Sequence, residues 1–232
     1  MTTQPLDSDD LKQRIHTINA PWCLEARKIV SRAFHIARSP AELCVAFNGG
    51  KDCTALLYLV LAEWLQKFPG TPMPVLYIVD KPEEVFPEID AFVRETVSEL
   101  PIELIEISRL PTPAALAELL RMRPEIRSVF MGTRKTDPHG NQLEAFTPTD
   151  VNWPPVIRVN PVLNWRYRDV WNFLRLLNVP VCTLYAAGYT SIGDKSTTFP
   201  NPRLVDGDGK SPRHAAELED SDQERAGRVS KK

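Results

Sequence analysis

The residues best suited to chemistry form a glycine-rich stretch, Asn48-Gly49-Gly50-Lys51-Asp52, between an apolar run and a long helical pattern. Glycines let the backbone turn sharply, so several N–H groups can point towards one ligand. The helix that follows adds unpaired amides and the positive end of its dipole, and Lys51 adds a full positive charge. This stretch therefore predicts a phosphate-binding loop, although a simple turn could have the same composition.

Two roles are open for Asp52, which follows the glycines and the lysine. Its carboxylate could hold a magnesium ion that bridges the phosphates of a nucleotide, or it could cap the helix. The stretch lacks the Walker pattern G-x-x-x-x-G-K-[ST], which usually serves release of a γ-phosphate. Its absence argues against that chemistry.

Two more polar clusters follow predicted strands, Asp80-Lys81 and Gly132-Thr133-Arg134. Ligands of parallel α/β sheets bind outside the carboxyl ends of the strands, so three such loops favour one shared site. Asp80 could receive the ribose or adenine of a nucleotide, or be an ordinary solvated carboxylate. Arg134 could contact phosphate, or pair with Asp137.

Strands and helices must alternate along the chain to position these loops. Apolar runs predict strands at 43–47, 75–79, 102–107 and 127–131, and amphipathic patterns predict helices at 54–67, 85–100, 113–122 and 167–177. A further helical region begins near Ser8-Asp9-Asp10 and reaches about Arg38, with a break near Pro21. This order predicts an α/β fold with a mostly parallel twisted sheet and helices on both faces.

Regular structure is predicted to be sparse in the proline-rich stretch 137–161 and again beyond Pro180. Long loops within a compact protein are often functional. The last stretch, 205–232, is polar, and its composition alone favours a disordered tail.

Composition narrows the class of protein. The 232 residues suffice for one α/β domain, with room for a smaller appended region. A net charge of −2 gives no reason to expect nucleic acid or an anionic membrane as a partner, and no apolar run is long enough to cross a bilayer. The four cysteines are far apart, so we expect reduced, buried thiols, no zinc site and a cytoplasmic location.

The stretch F-N-G-G-K-D-C-T, from Phe47 to Thr54, resembles the pyrophosphate (PP) loop S-G-G-x-D-S of the ATP pyrophosphatases. Members of those families split ATP between its α- and β-phosphates. Within them the loop looks like that of the PAPS-reductase-like branch, which has an adenine nucleotide alpha hydrolase-like fold. In that branch the chain resembles the eukaryotic, fungal-type FAD synthases, or FMN adenylyltransferases.

Motifs downstream of the loop carry the same resemblance in the same order. They are G-T-R-K-T-D-P at 132–138, T-D and W-P at 149–150 and 153–154, R-V-N-P-V-L-N-W at 158–165, Y-x-x-G-Y-T-S-I-G at 185–193, N-P at 201–202 and E-R-A-G-R at 224–228. Together they cover nearly the whole chain from the loop onwards.

The resemblance implies attack of the FMN phosphate on the α-phosphorus of ATP, with Mg²⁺ assisting and FAD and pyrophosphate as products. It implies that ATP contacts Phe47, Asn48, Gly49, Gly50, Lys51, Asp52, Thr54, Asp80, Gly132 and Arg134. The implied catalytic residues are Lys51, Asp52, Arg225 and Arg228, with Asp52 as the metal contact. The two arginines lie three residues apart, so a helix would place both on one face, over the triphosphate.

For the flavin, the resemblance implies contacts with Arg134, Asp137, Asp150, Trp153, Arg158, Tyr189 and Thr190. Asp150 would accept a hydrogen bond from the isoalloxazine edge, and Arg158 would meet the phosphate or ribityl chain. Trp153 and Tyr189 could stack on the flavin or pack the pocket wall. Residues 1–165 would form the PP-loop core, and residues 166–232 the irregular flavin-binding and closing segment of the same domain.

The chain departs from the family pattern at Ala186-Ala187, where an acidic residue is expected, and at Ala216, where an aromatic one is expected. These changes bear on flavin affinity and on closing of the last segment. Two alternatives stay open, a sulfonucleotide reductase and an inactive flavin- or nucleotide-binding homologue. The reductase is disfavoured because no cysteine follows Cys182. We expect a monomer or weak oligomer with small-molecule partners.

Overall fold

Six strands form one sheet in the computed structural model, which describes residues 8–205 and 212–229. They are β1 (Leu43–Ala46), β2 (Met73–Val79), β3 (Ile102–Ser108), β4 (Ser128–Phe130), β5 (Phe146–Pro148) and β6 (Ile157–Val159). Their order is β3-β2-β1-β4-β6-β5. All neighbours run parallel except the edge strand β5, which is antiparallel to β6. The expected mostly parallel α/β fold is confirmed.

The helices cover both faces of this sheet. They are α1 (Ser8–Thr17), α2 (Pro21–Ile36), α3 (Lys51–Lys67), α4 (Pro87–Glu99), α5 (Thr112–Met122) and α6 (Tyr167–Leu177). Side chains alternate along a strand, so Val45 and Val75 face the large core with α1–α4 and α6, whereas Cys44 and Leu76 face a smaller core with α5. The central strands are buried on both sides, which explains their continuous apolar character.

The most deeply buried helix is α3, which carries the predicted phosphate loop at its start. Its residues from Thr54 to Ala62 are all buried, and Trp64 is also buried. The helix begins at Lys51 rather than at the predicted residue 54, because Gly50 is the last residue with an extended backbone. Lys51 and Asp52 therefore belong to the first turn of the helix.

Two strands lie inside the stretch 137–161 that was predicted to be largely irregular. Both β5 and β6 have three residues, too few for a periodic pattern, and the prolines around them suggested loops. Pro148 is tolerated because it ends β5, the edge strand of the sheet. Regular structure is sparse in this stretch, as expected, but the sequence did not predict these two strands. The position of β6 bears on a predicted site residue, because β6 pairs with β4 and carries Arg158 beside Val129.

The sequence also predicts a break in the first helical region, a polar tail and no apolar run that could cross a bilayer. The break predicted near Pro21 lies between α1 and α2. The first seven residues and part of the predicted tail, residues 206–211 and 230–232, lie outside the described residues. Within the described ranges, no helix is both long and apolar enough to cross a bilayer.

We expect the fold to be most sensitive to substitutions in α3. Leu57 in α3 is completely buried, so Leu57→Ala should lower the free energy of unfolding by about 2–5 kcal/mol through lost burial and a residual cavity. Leu176 in α6 is 58% exposed, and Leu176→Ala is the matched control, with an effect within about 0.5 kcal/mol. Urea denaturation measures both, and similar losses would contradict the assigned core.

Candidate active site

The glycine-rich loop turns between β1 and α3 at the carboxyl edge of the sheet. Gly49 has φ +74°, a conformation that side chains rarely adopt, and a Cβ there would lie 3.1 Å from Val93. The amide of Gly50 donates a hydrogen bond to Oδ1 of Asn48 (3.0 Å). The first turn of α3 follows at once, and its amides have no acceptors within the helix. The loop thus has the form of an anion-binding helix start.

Tyr185 supports this loop from outside the core sheet. Its hydroxyl accepts a hydrogen bond from the buried amide of Lys51 (2.6 Å), and its ring packs edge-on against Trp171, with ring centroids 5.2 Å apart. Burial raises the pKa of Tyr185 well above its usual range, so the hydroxyl stays protonated. No role was predicted for Tyr185, although it begins the motif Y-x-x-G-Y-T-S-I-G.

Four charged side chains meet beneath the loop and form what we call the charge cluster: Lys51, Asp52, Arg134 and Glu224. Nζ of Lys51 lies 2.9 Å from Asp52 Oδ2 and 2.5 Å from Glu224 Oε1. Nη2 of Arg134 donates to both carboxylate oxygens of Glu224 (2.6 and 2.7 Å). Nε of Arg134 lies 2.8 Å from Asp52 Oδ1, but the angle does not suit a hydrogen bond, so this contact is an ion pair only.

The two cations of the cluster need these contacts because they are buried. Arg134 is 1% exposed and Lys51 is 2% exposed, so their charges depend on the carboxylates around them. Burial disfavours the charged guanidinium of Arg134, but Asp52 and Glu224 outweigh that effect and hold its pKa above the usual value. Asp137, which accepts from the amide of Arg134 (2.8 Å), has its pKa raised by burial. The pairing proposed between Arg134 and Asp137 is loose, at 3.6 Å.

Glu224 is the member of this cluster that the sequence did not single out. It begins the E-R-A-G-R motif, in which only the two arginines were assigned roles. A carboxylate in a polar, C-terminal stretch gives no sign of burial by itself. The cations that it meets lie 173 and 90 residues earlier in the chain.

A cavity of about 440 Å³ opens in front of the loop and the charge cluster. Apolar side chains on one part of the sheet edge, Leu76, Ile78 and Met131, give it a flat apolar wall. Nine predicted site residues line it: Phe47, Asn48, Gly50, Lys51, Asp52, Asp80, Gly132, Asp137 and Arg225. An apolar wall next to an amide-rich loop and the exposed Arg225 suits a heterocyclic base attached to phosphates.

The segment 221–229, the last that the structure describes, lies against residues 190–201. Its residues form a short 3₁₀ turn at Ser221–Gln223, then turns, then a bridge between Arg228 and Thr198. The helix suggested by the arginine spacing is therefore absent from this segment. A Cβ on Gly227 would lie 2.2 Å from the carbonyl oxygen of Phe199, so the close approach requires glycine there.

The two arginines of this segment occupy different places. Arg225 is exposed and lines the cavity beside Glu224. Arg228 lies with its guanidinium against Gly193. Gly193 lines a second cavity of about 240 Å³, and Asn48, Gly50 and Asp80 line both cavities. Burial lowers the pKa of Arg228, and Arg225 lowers it further.

The remaining predicted residues divide into two groups. Asp150, Trp153 and Arg158 lie together near β5 and β6, where Nη2 of Arg158 donates to Asp150 Oδ1 (3.2 Å). They do not line the 440 Å³ cavity as it is formed by the described residues. Tyr189 packs edge-on against Phe86, with ring centroids 5.5 Å apart.

Two predicted site residues donate hydrogen bonds from their hydroxyl groups to backbone carbonyls, and neither residue lines a cavity described above. Thr54 Oγ1 donates to the carbonyl of Gly50 (2.9 Å), and Thr190 Oγ1 donates to the carbonyl of Glu224 (2.6 Å). Thr54 is completely buried, and Thr190 is 1% exposed. Gly49 is also buried, below the loop surface.

Comparisons with known proteins agree with this geometry. The family model described as "Phosphoadenosine phosphosulfate reductase domain" matches residues 109–200. A probable FAD synthase of Schizosaccharomyces pombe is 39% identical over 194 residues, which are 82% of this chain and 72% of that protein. A probable FAD synthase of Caenorhabditis elegans is 42% identical over 80% of this chain, which spans only 36% of that longer protein.

Among solved structures, this chain is similar to an FMN adenylyltransferase of Candida glabrata. The crystal structure of that protein in complex with FAD and inorganic pyrophosphate has a TM-score of 0.84, with 26% identity and 97% of each chain covered. A phosphoadenylyl-sulfate reductase of Candida auris is similar in fold alone, with a TM-score of 0.53 and 16% identity.

The contact between Tyr185 and the loop predicts a specific stability loss. Tyr185→Phe removes the acceptor of a buried amide and should lower the free energy of unfolding by about 1–3 kcal/mol. Tyr77→Phe is the matched control, because its buried ring loses only a marginal 3.5 Å contact with Asp90. If urea denaturation gave equal losses for both variants, Tyr185 would not be supporting the loop.

Proposed function

The chain belongs to the FAD synthase family, and from that premise we propose that it transfers the adenylyl group of ATP to the phosphate of FMN, forming FAD and pyrophosphate. The observation that carries the proposal is the cavity itself. The phosphate-binding loop, Arg225 and the apolar side chains of the sheet edge all line it. That arrangement fits a nucleoside triphosphate whose leaving group is held by the loop and the arginine.

The reaction requires no covalent bond between the protein and its substrates. A phosphate oxygen of FMN forms a bond to the α-phosphorus of ATP, and the bond from that phosphorus to the oxygen bridging the β-phosphate breaks. The attacking phosphate is already ionised at neutral pH, so no strong base is needed. Catalysis then rests on alignment of the two phosphates and on stabilising the charge that develops on pyrophosphate.

The loop and the last segment divide that task. We assign the β- and γ-phosphates to Asn48, Gly49, Gly50 and the first turn of α3 at Lys51. Arg225 supplies an accessible positive charge at the cavity, and Arg228 stands beside it at Gly193. The base would lie along the apolar wall, with Asp80 and Gly132 at its margins.

Magnesium is compatible with the residues present. Asp52 lines the cavity, and its buried Oδ1 makes no hydrogen bond among the described residues, although it lies 2.8 Å from Arg134 Nε. No group of three acidic, cysteine or histidine side chains in the described ranges could hold a metal alone, so Asp52 and substrate phosphates would share it. When bound, Mg²⁺ would neutralise charge on the triphosphate and on the leaving pyrophosphate.

We place the flavin towards the β5–β6 edge. Asp150, Trp153 and Arg158 lie there, and Asp137, another predicted flavin contact, lines the cavity. In this proposal residues 1–165 supply the PP-loop core, and residues 166–232 supply the rest of the flavin site and the closing segment. Ala186 and Ala187 are exposed, so neither fills the interior of the site.

Sulfonucleotide reduction fits the chain less well, because it requires a reactive thiolate. Burial raises the pKa of Cys182, and it raises the pKa of Cys53, the cysteine that lines the cavity, to about 12. Four free cysteines, three of them buried, also support our proposal of a reducing, cytoplasmic location.

Incubation with FMN, ATP and magnesium, followed by chromatography, tests the proposed reaction. We expect FAD and pyrophosphate in equal amounts. Bound FMN without product would favour an inactive homologue, and sulfite formed from PAPS with a thiol donor would favour the reductase. Either result would overturn the proposal.

Asp52 should be essential to turnover. Asp52→Asn removes the charge that faces Lys51, Arg134 and the proposed metal, so we expect kcat to fall by at least about 100-fold. Asp90→Asn is the matched control, since Asp90 lies in the first turn of α4 and pairs with the exposed Arg94. Its kcat should stay within about twofold, because exposed pairs contribute little. Wild-type turnover by a folded Asp52→Asn variant would remove Asp52 from the mechanism.

A further inference from the structure

We propose that Glu224 is a positioning residue, which fastens the segment 221–229 to the phosphate loop and thereby sets Arg225 opposite the triphosphate. The proposal rests on the proposed function, because it assigns Arg225 to the leaving phosphates. Within the motif E-R-A-G-R, the proposal gives Glu224 and Arg225 different roles. Arg225 contacts substrate, and Glu224 acts through Arg225.

The side chain of Glu224 is the ionic link between this segment and the loop. Its carboxylate, 11% exposed, pairs with Lys51 in the first turn of α3 and with Arg134 after β4. Lys51 follows the loop after β1, and Arg134 follows β4, which is the neighbour of β1 in the sheet. The carboxylate therefore joins the segments that follow two adjacent strands. A flexible surface carboxylate would not be sealed between two buried cations.

The backbone of the same residue is held independently by the region 190–201. Thr190 Oγ1 donates to the carbonyl of Glu224 (2.6 Å), and Asn201 Nδ2 donates both to Thr190 Oγ1 and to the carbonyl of Gln223 (2.8 Å each). Asn201 is completely buried. Glu224 is therefore fixed at both its backbone and its carboxylate, so the direction of the next residue, Arg225, is fixed as well.

The balance of charges indicates that Arg225, rather than Lys51 or Arg134, supplies the accessible positive charge at the triphosphate. Lys51 and Arg134 are matched by Asp52, Glu224 and the neighbouring Asp137, so the paired cations leave no excess positive charge. Both cations are also covered, at 2% and 1% exposure. Arg225 is the exposed cation beside them in the cavity. The Glu224 carboxylate therefore neutralises only cations that are already covered. It also holds the accessible cation, Arg225, in a defined place.

A competing interpretation treats the carboxylate of Glu224 as an occupant of the phosphate position. Under it, substrate must displace Glu224 from Lys51 and Arg134 before it can bind. The two interpretations differ in the sign of their effect on ATP. Loss of a positioning residue lowers kcat, whereas loss of a competitor lowers the KM for ATP and leaves kcat intact.

The kinetic test is a double-mutant cycle with Glu224→Gln and Arg225→Ala, measured by FAD formation. We expect Glu224→Gln to lower kcat by about 10- to 100-fold, since a misplacement of about 1 Å has that effect. The double variant should lose little more than the single variant that is more affected, because both remove the same interaction. Glu219→Gln, at an exposed position in the neighbouring turn, is the control and should match the wild type.

Hydrogen exchange gives a readout that does not require activity. In Glu224→Gln, amides of Arg228 and Val229 should exchange at least about tenfold faster, while β1 and β2 stay protected. If Glu224→Gln does not fold, Glu224→Asp keeps the charge and withdraws the carboxylate by one methylene, and the same two measurements apply. If the wild type formed no FAD, the exchange result would still decide whether Glu224 holds the segment.

Three outcomes would overturn the proposal. They are an ATP KM that falls with kcat unchanged, losses from Glu224→Gln and Arg225→Ala that multiply in the double variant, and unchanged exchange at 228–229. The first would identify Glu224 as a competitor of the phosphates. The second would show that Glu224 acts independently of Arg225.

Discussion

Two buried cations, Lys51 and Arg134, place the strongest constraint on this structure. Taking such charges out of water costs several kcal/mol each unless carboxylates replace the lost solvation. Asp52 lies next to Lys51 in sequence, but the other main partner, Glu224, comes from the far end of the chain. The fold must therefore bring the last segment onto the phosphate loop whenever both cations are charged and satisfied.

The parallel sheet makes that convergence possible. β1 and β4 are adjacent and point the same way, so the loop after β1 and Arg134 after β4 share one edge. The proposed phosphate site of this FAD synthase family member is consequently assembled from three parts of the chain. The sheet supplies the amides and the apolar wall, the charge cluster joins the parts, and Arg225 completes the cavity.

Local patterns in the sequence predicted the parallel core and the loop well, because burial of β1 and β2 and the start of α3 depend on neighbouring residues. They failed at the three-residue strands β5 and β6, because β6 is defined by its pairing with β4 and β5 by its pairing with β6. They also passed over Tyr185 and Glu224, whose roles arise from contacts 134 and 173 residues away. Spacing suggested a helix at Arg225 and Arg228, but hydrogen bonds to residues 197–201 hold that segment in turns.

In the proposed reaction, this site breaks the bond between the α- and β-phosphates of ATP and delivers the α-phosphorus to FMN. ATP labelled with one isotope at the α-phosphorus and another at the γ-phosphorus tests it most directly. For each FMN consumed, we expect one α label in FAD and one γ label in pyrophosphate. Recovery of the γ label as orthophosphate, or of the α label as free AMP, would contradict the account.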